Sequence, residues 1–211
     1  NGLDVKGTGS LTFENNASLV QVNDAAVNSG KIIYKRNSKA MKPSDYTYWS
    51  SPVQDQVLNV LSPNTESNKF YSFANGAWFS ETKTNMMNPA GKGFIIRVPK
   101  PNIPYINGKD IWSGPTHIQE VAFEGKPNNG LINIPVPAAD KYNLIGNPYP
   151  SAMDADLFIT NAINKDLMTG ALYFWTHNTG ISDNGSAYVY SSNDYAVYTL
   201  TGGTSGTPVK T

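Results

Sequence analysis

The chain has 211 residues, enough for one large β domain or two small ones. Charged residues make up only 15%, below the usual quarter, and 16 Lys+Arg balance 16 Asp+Glu. No basic excess exists to neutralise phosphates or meet an anionic membrane surface, so nucleic acid is excluded as a partner class. Cysteine is absent, which excludes disulfides, thiolate metal sites and thiol nucleophiles, and no apolar run approaches the ~20 residues of a membrane span.

With so few charges, solubility must come from Asn, Ser, Thr and Gly, as in extracellular β-proteins. The 18 glycines and 14 prolines are spread throughout, between short runs of aromatic and β-branched residues. That is the pattern of many short strands joined by turns. The abrupt opening Asn1-Gly2-Leu3-Asp4 reads as the start of a mature or excised fragment.

Residues 1–37 look repetitive. The runs 9–13, 17–22 and 31–35 alternate apolar and polar residues, separated by Glu14-Asn15-Asn16 and Asn23-Asp24 turns. They read as rungs at the end of a β-solenoid or meander, or as the first strands of a sandwich. The polar stretch 38–45, with Pro43, reads as a linker, so 1–45 is expected to be a repetitive β segment with its linker. Strands are predicted at 46–51, 69–73, 78–80, 93–98, 118–123, 131–135, 142–145, 171–176 and 195–200. The stretch 99–116 holds four prolines and reads as a long loop at an edge or end. One helix of about three turns is predicted over 151–163, with Ser151 as its cap and Asp154 three residues on. The Gly/Thr-rich stretch 201–211 reads as a flexible tail. The fold expected is all-β: a jelly-roll-like antiparallel β-sandwich over 46–200, with a short solenoid-like N-terminal segment and one short helix.

Two parts of the chain echo each other. Tyr48-Trp49-Ser50-Ser51-Pro52-Val53 resembles Leu144-Ile145-Gly146-Asn147-Pro148-Tyr149, each an apolar strand ending at a proline. Phe70-Tyr71-Ser72-Phe73 likewise resembles Leu172-Tyr173-Phe174-Trp175. The first copy continues to Gly91-Lys92-Gly93-Phe94-Ile95-Ile96, for which the second has no counterpart. The echo therefore predicts an unfilled strand edge in the second copy.

Four motifs carry a family resemblance: Trp49-Ser50-Ser51-Pro52-Val53, Gly91-Lys92-Gly93-Phe94-Ile95-Ile96-Arg97, Asn143-Leu144-Ile145-Gly146-Asn147-Pro148-Tyr149-Pro150-Ser151 and Leu172-Tyr173-Phe174-Trp175-Thr176-His177-Asn178-Thr179. They resemble the region upstream of the C-terminal sorting domain in large, adhesin-like surface proteins of the Bacteroidota. The resemblance implies export by the type IX secretion machinery and a secreted, cell-surface location. It supplies no catalytic residues.

The residues themselves offer little for catalysis. The two histidines, His117 and His177, sit in no nucleophile motif. Asp154, Asp156, Glu120 and Glu124 are the candidate carboxylates for glycoside chemistry, but Asp154 and Asp156 would point apart on a helix. Gly91-Lys92-Gly93 lacks the rest of a phosphate loop and precedes a strand, so it reads as a turn. No enzyme is expected. Asn147, Asp154 and Asp156 form an oxygen-rich patch of the kind calcium suits. Trp78, after the Asn75-Gly76 turn, and Trp112, in the proline-rich loop, are the candidate ligand-binding aromatics, whereas Trp49 and Trp175 read as core. Surface glycans and other cell-surface proteins are the partners such a module would meet. A carbohydrate-binding module of a secreted glycan-degrading enzyme is the alternative reading.

Overall fold

The computed structural model describes residues 2–42, 44–99, 116–136, 141–185 and 188–205. Its framework is an all-β sandwich with two short helices. One sheet contains β1 (Leu11–Phe13), β2 (Ile32–Met41) and β7 (His117–Gly125), in the order β1-β2-β7. The other contains β3 (Tyr46–Trp49), β4 (Phe70–Ala74), β5 (Ala77–Ser80) and β6 (Phe94–Arg97), in the order β3-β6-β4-β5. Helix α1 (Leu58–Leu61) lies between β3 and β4 in the chain.

Alternation along each strand decides which side chains meet between the sheets. In β7, Gln119, Val121, Phe123 and Gly125 are buried while Ile118, Glu120, Ala122 and Glu124 face out, the strict period of two. Ile32 and Tyr34 of β2 join Val121 and Phe123 on one side of the core. Phe70, Phe94 and Ile96 face them from the second sheet, with Leu58 and Leu61 of α1 and Val53 filling the same cluster. Gly125 is required at its position, because a β-carbon there would lie 2.4 Å from the Gln54 carbonyl oxygen.

The N-terminal segment is part of this sandwich. β2 runs through the expected linker to Met41 and pairs antiparallel with β7. Two features hide that strand in the sequence: its polar half, and a register shift between Asn37 and Ala40. There the Ser38 hydroxyl accepts the Gln119 amide at 2.9 Å. β1 pairs with β2 in parallel, and Asp4 bridges Ser29 in parallel, as stacked rungs do. The expected rung at 17–22 forms no strand, nor does 131–135; of 142–145, only Ile145 forms a bridge, to Lys92.

A third sheet lies outside the sandwich. It contains β8 (Ala171–Trp175), β11 (Tyr195–Thr199) and β12 (Gly202–Thr204), in the order β12-β11-β8. Between β8 and β11 in the chain, β9 (Ser182–Asp183) and β10 (Tyr188–Val189) form a small hairpin. β12 corrects the expected tail: Gly202–Thr204 returns along β11 in register.

The predicted helix is shorter than its pattern. Helix α2 spans Ala155–Thr160, and its N-cap is Asp154, whose Oδ1 accepts the Leu157 amide at 3.0 Å. Ser151 instead offers its carbonyl to the Asn147 side chain, which keeps the Pro148/Pro150 stretch in a turn. At the far end, Asn161 Oδ1 accepts the Ile163 amide at 3.0 Å and diverts the chain from the helix.

One charged pair is built into the second sheet. Lys92 Nζ lies 2.7 Å from Glu81 Oε1 and 4.8 Å from the centre of the Phe94 ring. The Gly91-Lys92-Gly93 lysine is thus occupied in holding a strand entrance. Burial alone would raise the Glu81 pKa, but hydrogen bonds from Lys92, Ser72 and Asn85 outweigh it and hold the carboxyl below the usual carboxylate range. A lowered folded-state pKa adds stability that is present above the ordinary glutamate value of about 4.3 and is lost as pH falls below it. Glu81→Gln should therefore melt below the parent at pH 7, with the gap narrowing as pH falls below the ordinary glutamate value. Melting curves taken across that pH range check this; an unchanging gap would assign the effect to packing.

Candidate functional site

Strand β3 has two aromatic faces. Thr47 and Trp49 point into the sandwich, where Trp49 meets Phe123 edge-on with ring centroids 6.0 Å apart. Tyr46 and Tyr48 point the other way and receive the third sheet. Trp175 of β8 lies nearly parallel to Tyr48, centroids 6.1 Å apart at 19°, and meets Tyr195 edge-on at 5.1 Å. Its indole N–H donates to the Tyr46 carbonyl at 3.0 Å. The Tyr48 and Tyr195 hydroxyls are 2.5 Å apart. Tyr190 packs edge-on against both Tyr46 and Trp175, and its hydroxyl donates to the Ser44 carbonyl at 2.8 Å. This seam joins the third sheet to the sandwich.

The seam holds its phenols in the neutral form. Burial, together with the hydrogen bond to Tyr195, pushes the Tyr48 phenol well above its ordinary range. Burial and the neighbouring Tyr190 and Tyr71 do the same for Tyr46. Both phenols stay neutral through the physiological range and serve as hydrogen-bonding wedges.

Trp78 stands at the rim of this seam. Its strand neighbour Phe73 lies directly opposite, with ring centroids 4.7 Å apart in an edge arrangement, and Tyr48 is 6.3 Å away. Trp78 remains 48% exposed. The result is a braced indole with one end open to solvent, the kind of surface on which an apolar sugar face stacks. Trp112 lies outside the described residues, as does almost all of the proline-rich loop.

Asn147, Asp154 and Asp156 each have protein partners. Asn147 Oδ1 accepts the Tyr149 amide at 3.0 Å, and its Nδ2 donates to the Ser151 carbonyl at 2.6 Å. Asp154 caps α2, and Asp156 Oδ1 accepts the Tyr198 hydroxyl at 2.8 Å. Among the described residues, no group of three or more His, Asp or Glu side chains converges on one point. Asn147→Leu removes both bonds of the proline turn, and a loss of about 1–2 kcal/mol, or several degrees in melting temperature, is expected. A melting temperature equal to the parent's would show the turn to be held by its prolines alone.

The other candidates are apart. Glu120 and Glu124 lie on the solvent face of β7, Glu124 with Lys31 at 3.9 Å. His177 Nδ1 lies 3.2 Å from the Tyr46 carbonyl. His117 lines a cleft of about 350 Å³ with Ser62, Gln119 and Glu120. The Ser62 hydroxyl is bonded to Thr65 and Gln119 there, with no nucleophile–base pairing to His117.

Asn128 belongs to none of the motifs singled out above. This buried amide donates through Nδ2 to the Ser51 carbonyl at 3.2 Å and the Pro148 carbonyl at 2.9 Å, while its backbone N–H donates to Pro52. It clasps the two echoed proline turns to each other. A β-carbon on Gly146 would lie 2.3 Å from the Ser50 β-carbon, so the turns touch there as well.

Together these features define an all-β sandwich with a third sheet attached by aromatic packing, in which Asn147 and Asp154 bind backbone and Asp156 binds the Tyr198 hydroxyl. The chain belongs to the family described as Domain of unknown function (DUF8693), whose model matches residues 1–211. No curated protein and no solved structure matches it significantly.

Proposed function

We propose that the chain is a non-catalytic structural or adhesive module of a secreted bacterial cell-surface protein exported by type IX secretion. The observation that carries this reading is the use made of the recognisable motifs. The Ser51-Pro52 and Asn147-Pro148 turns are clasped by Asn128, and the aromatic run ending at Trp175 forms the seam. Residues so engaged make a rigid spacer or display element and leave no free acid, base or nucleophile among them. Surface labelling of intact source cells tests the reading. Labelled protein is expected outside the cell, with loss of the surface signal when type IX secretion is disabled. A purely cytosolic pool would sink it.

A second reading is favoured by Trp78 alone. Its half-exposed, braced indole suits a carbohydrate-binding module, with surface glycans as ligands. A glycan array with and without calcium tests it. Binding that Trp78→Ala abolishes would support it, and an array blank in both conditions would remove it.

A further inference from the structure

The side chain of Gln119 is buried, and a relay of hydroxyls fixes which way its amide faces. Thr65 Oγ1 donates its proton to the Arg97 carbonyl at 2.7 Å. The Ser62 hydroxyl, 2.8 Å from Thr65 Oγ1, is therefore the donor in that contact. With its proton so used, Ser62 Oγ can only accept from Gln119, and it does so from Nε2 at 2.8 Å. Turning the amide over would set one acceptor against another. Gln119 Oε1 is left without a hydrogen-bond partner, although the residue is only 8% exposed. A buried acceptor in that state costs stability, and a donor arriving from outside recovers it.

That amide stands in the wall of a cleft of about 350 Å³ beside the start of β7, within the range of small-ligand sites. The end of α1 and Pro99, which follows β6, form its other sides. Leu61, Pro63 and Pro99 supply its apolar surface. The polar surface includes the Glu120 carboxylate, the Asn64 amide and the His117 imidazole, and no lysine or arginine. Among the described residues, these three side chains have no hydrogen-bond or ion-pair partner. The cleft thus combines a negative charge, uncharged acceptors and a short apolar wall, with no cation of its own.

We propose that this cleft binds a primary alkylammonium ion. An ammonium group presents three N–H donors. One meets Gln119 Oε1, the others meet the Glu120 carboxylate and Asn64 Oδ1, and the hydrocarbon stem lies along Leu61, Pro63 and Pro99. The carboxylate selects a cation over a neutral alcohol. The unpaired amide oxygen selects a cation that bears N–H groups over a quaternary one, which would leave it unpaired. The site uses neither Trp78 nor the seam, so it goes beyond the structural or adhesive reading and stands whether or not the module binds glycans.

n-Butylammonium chloride is the probe, titrated at constant ionic strength and at about pH 8, where an ordinary imidazole is neutral and an alkylamine is charged. In amide-resolved NMR spectra of the 211-residue chain it should shift the Gln119 side-chain amide and the Glu120 backbone amide, with a Kd below about 10 mM. Tetramethylammonium and 1-butanol should each bind about tenfold or more weakly. Glu120→Gln is a change on the solvent face of β7, and its melting temperature should match the parent's. It should weaken butylammonium about tenfold and leave butanol where it was. 1,5-Diaminopentane and Nα-acetyl-lysine amide, compared at equal concentration, separate a diamine from a lysyl side chain as the source of the ammonium group, the tighter binder naming it. Equal binding of butylammonium and butanol overturns the proposal, as does a butylammonium Kd that Glu120→Gln does not move. An absence of shifts at Gln119 up to about 50 mM probe overturns it as well.

Discussion

Phe70→Ala should be the most damaging single truncation in the sandwich. Phe70 is fully buried and sits on β4 between two partners, β6 and β5. Its ring belongs to the cluster that includes Ile32, Phe94, Ile96 and Phe123 from both sheets, with Leu58 and Leu61 above it. Removing the ring forfeits its transfer from water and leaves a cavity that strands paired on both sides cannot collapse to fill. The expected loss is about 3–5 kcal/mol. For a chain of this size that lowers the melting temperature by roughly 6–20 °C. The equivalent truncation at Leu172, the counterpart of Phe70 in the second half, should cost much less, because that residue is only partly buried. Equal losses at the two positions would mean that both halves carry a closed core.

What the sequence made legible follows from which interactions are local. β4, β5, β6, β8 and β11 stand within one or two residues of their predicted bounds, because short aromatic and β-branched runs between Gly, Pro and Asn turns decide them locally. β2 is half hidden: its second half, Asn37-Ser38-Lys39-Ala40, is polar and irregular and becomes a strand only because β7 lies beside it. β12 is Gly-Gly-Thr and is a strand only because β11 offers it an edge. The helix was visible, but its start was not, since Ser151 and Asp154 are both good caps and the Asn147 side chain had already engaged the Ser151 carbonyl. The placing of Trp49 against the core was legible from alternation. The seam was not, because Tyr46 and Tyr48 meet Trp175, Tyr190 and Tyr195 from more than a hundred residues away. Asn128 was not legible either: within Pro127-Asn128-Asn129-Gly130 it reads as an ordinary turn residue and carries no trace of the two carbonyls it will join.

Trp175→Ala should release the third sheet while leaving the sandwich folded. Trp175 contacts Tyr48, Tyr190 and Tyr195, and its indole N–H is bonded to the Tyr46 carbonyl. Losing a large ring with three aromatic partners and a hydrogen bond costs about 3–5 kcal/mol where the site is closed. Trp175 is only partly buried, which places the expected loss near the lower end, about 3 kcal/mol. The core cluster contains no residue of β8, β11 or β12, so this loss falls on the docking of those strands. Hydrogen exchange separates the two levels. Amides of β8 and β11 should exchange about a hundredfold faster in the variant, the factor that ~3 kcal/mol of local opening corresponds to. Amides of β2, β6 and β7 should keep their parental rates. Tyr48→Phe removes only the hydroxyl contact with Tyr195 and should move the same β8 and β11 amides, by a smaller factor, about fivefold for a loss near 1 kcal/mol. If exchange accelerates equally in all three sheets, the seam and the sandwich core form one cooperative unit, and the third sheet is an integral layer of the fold.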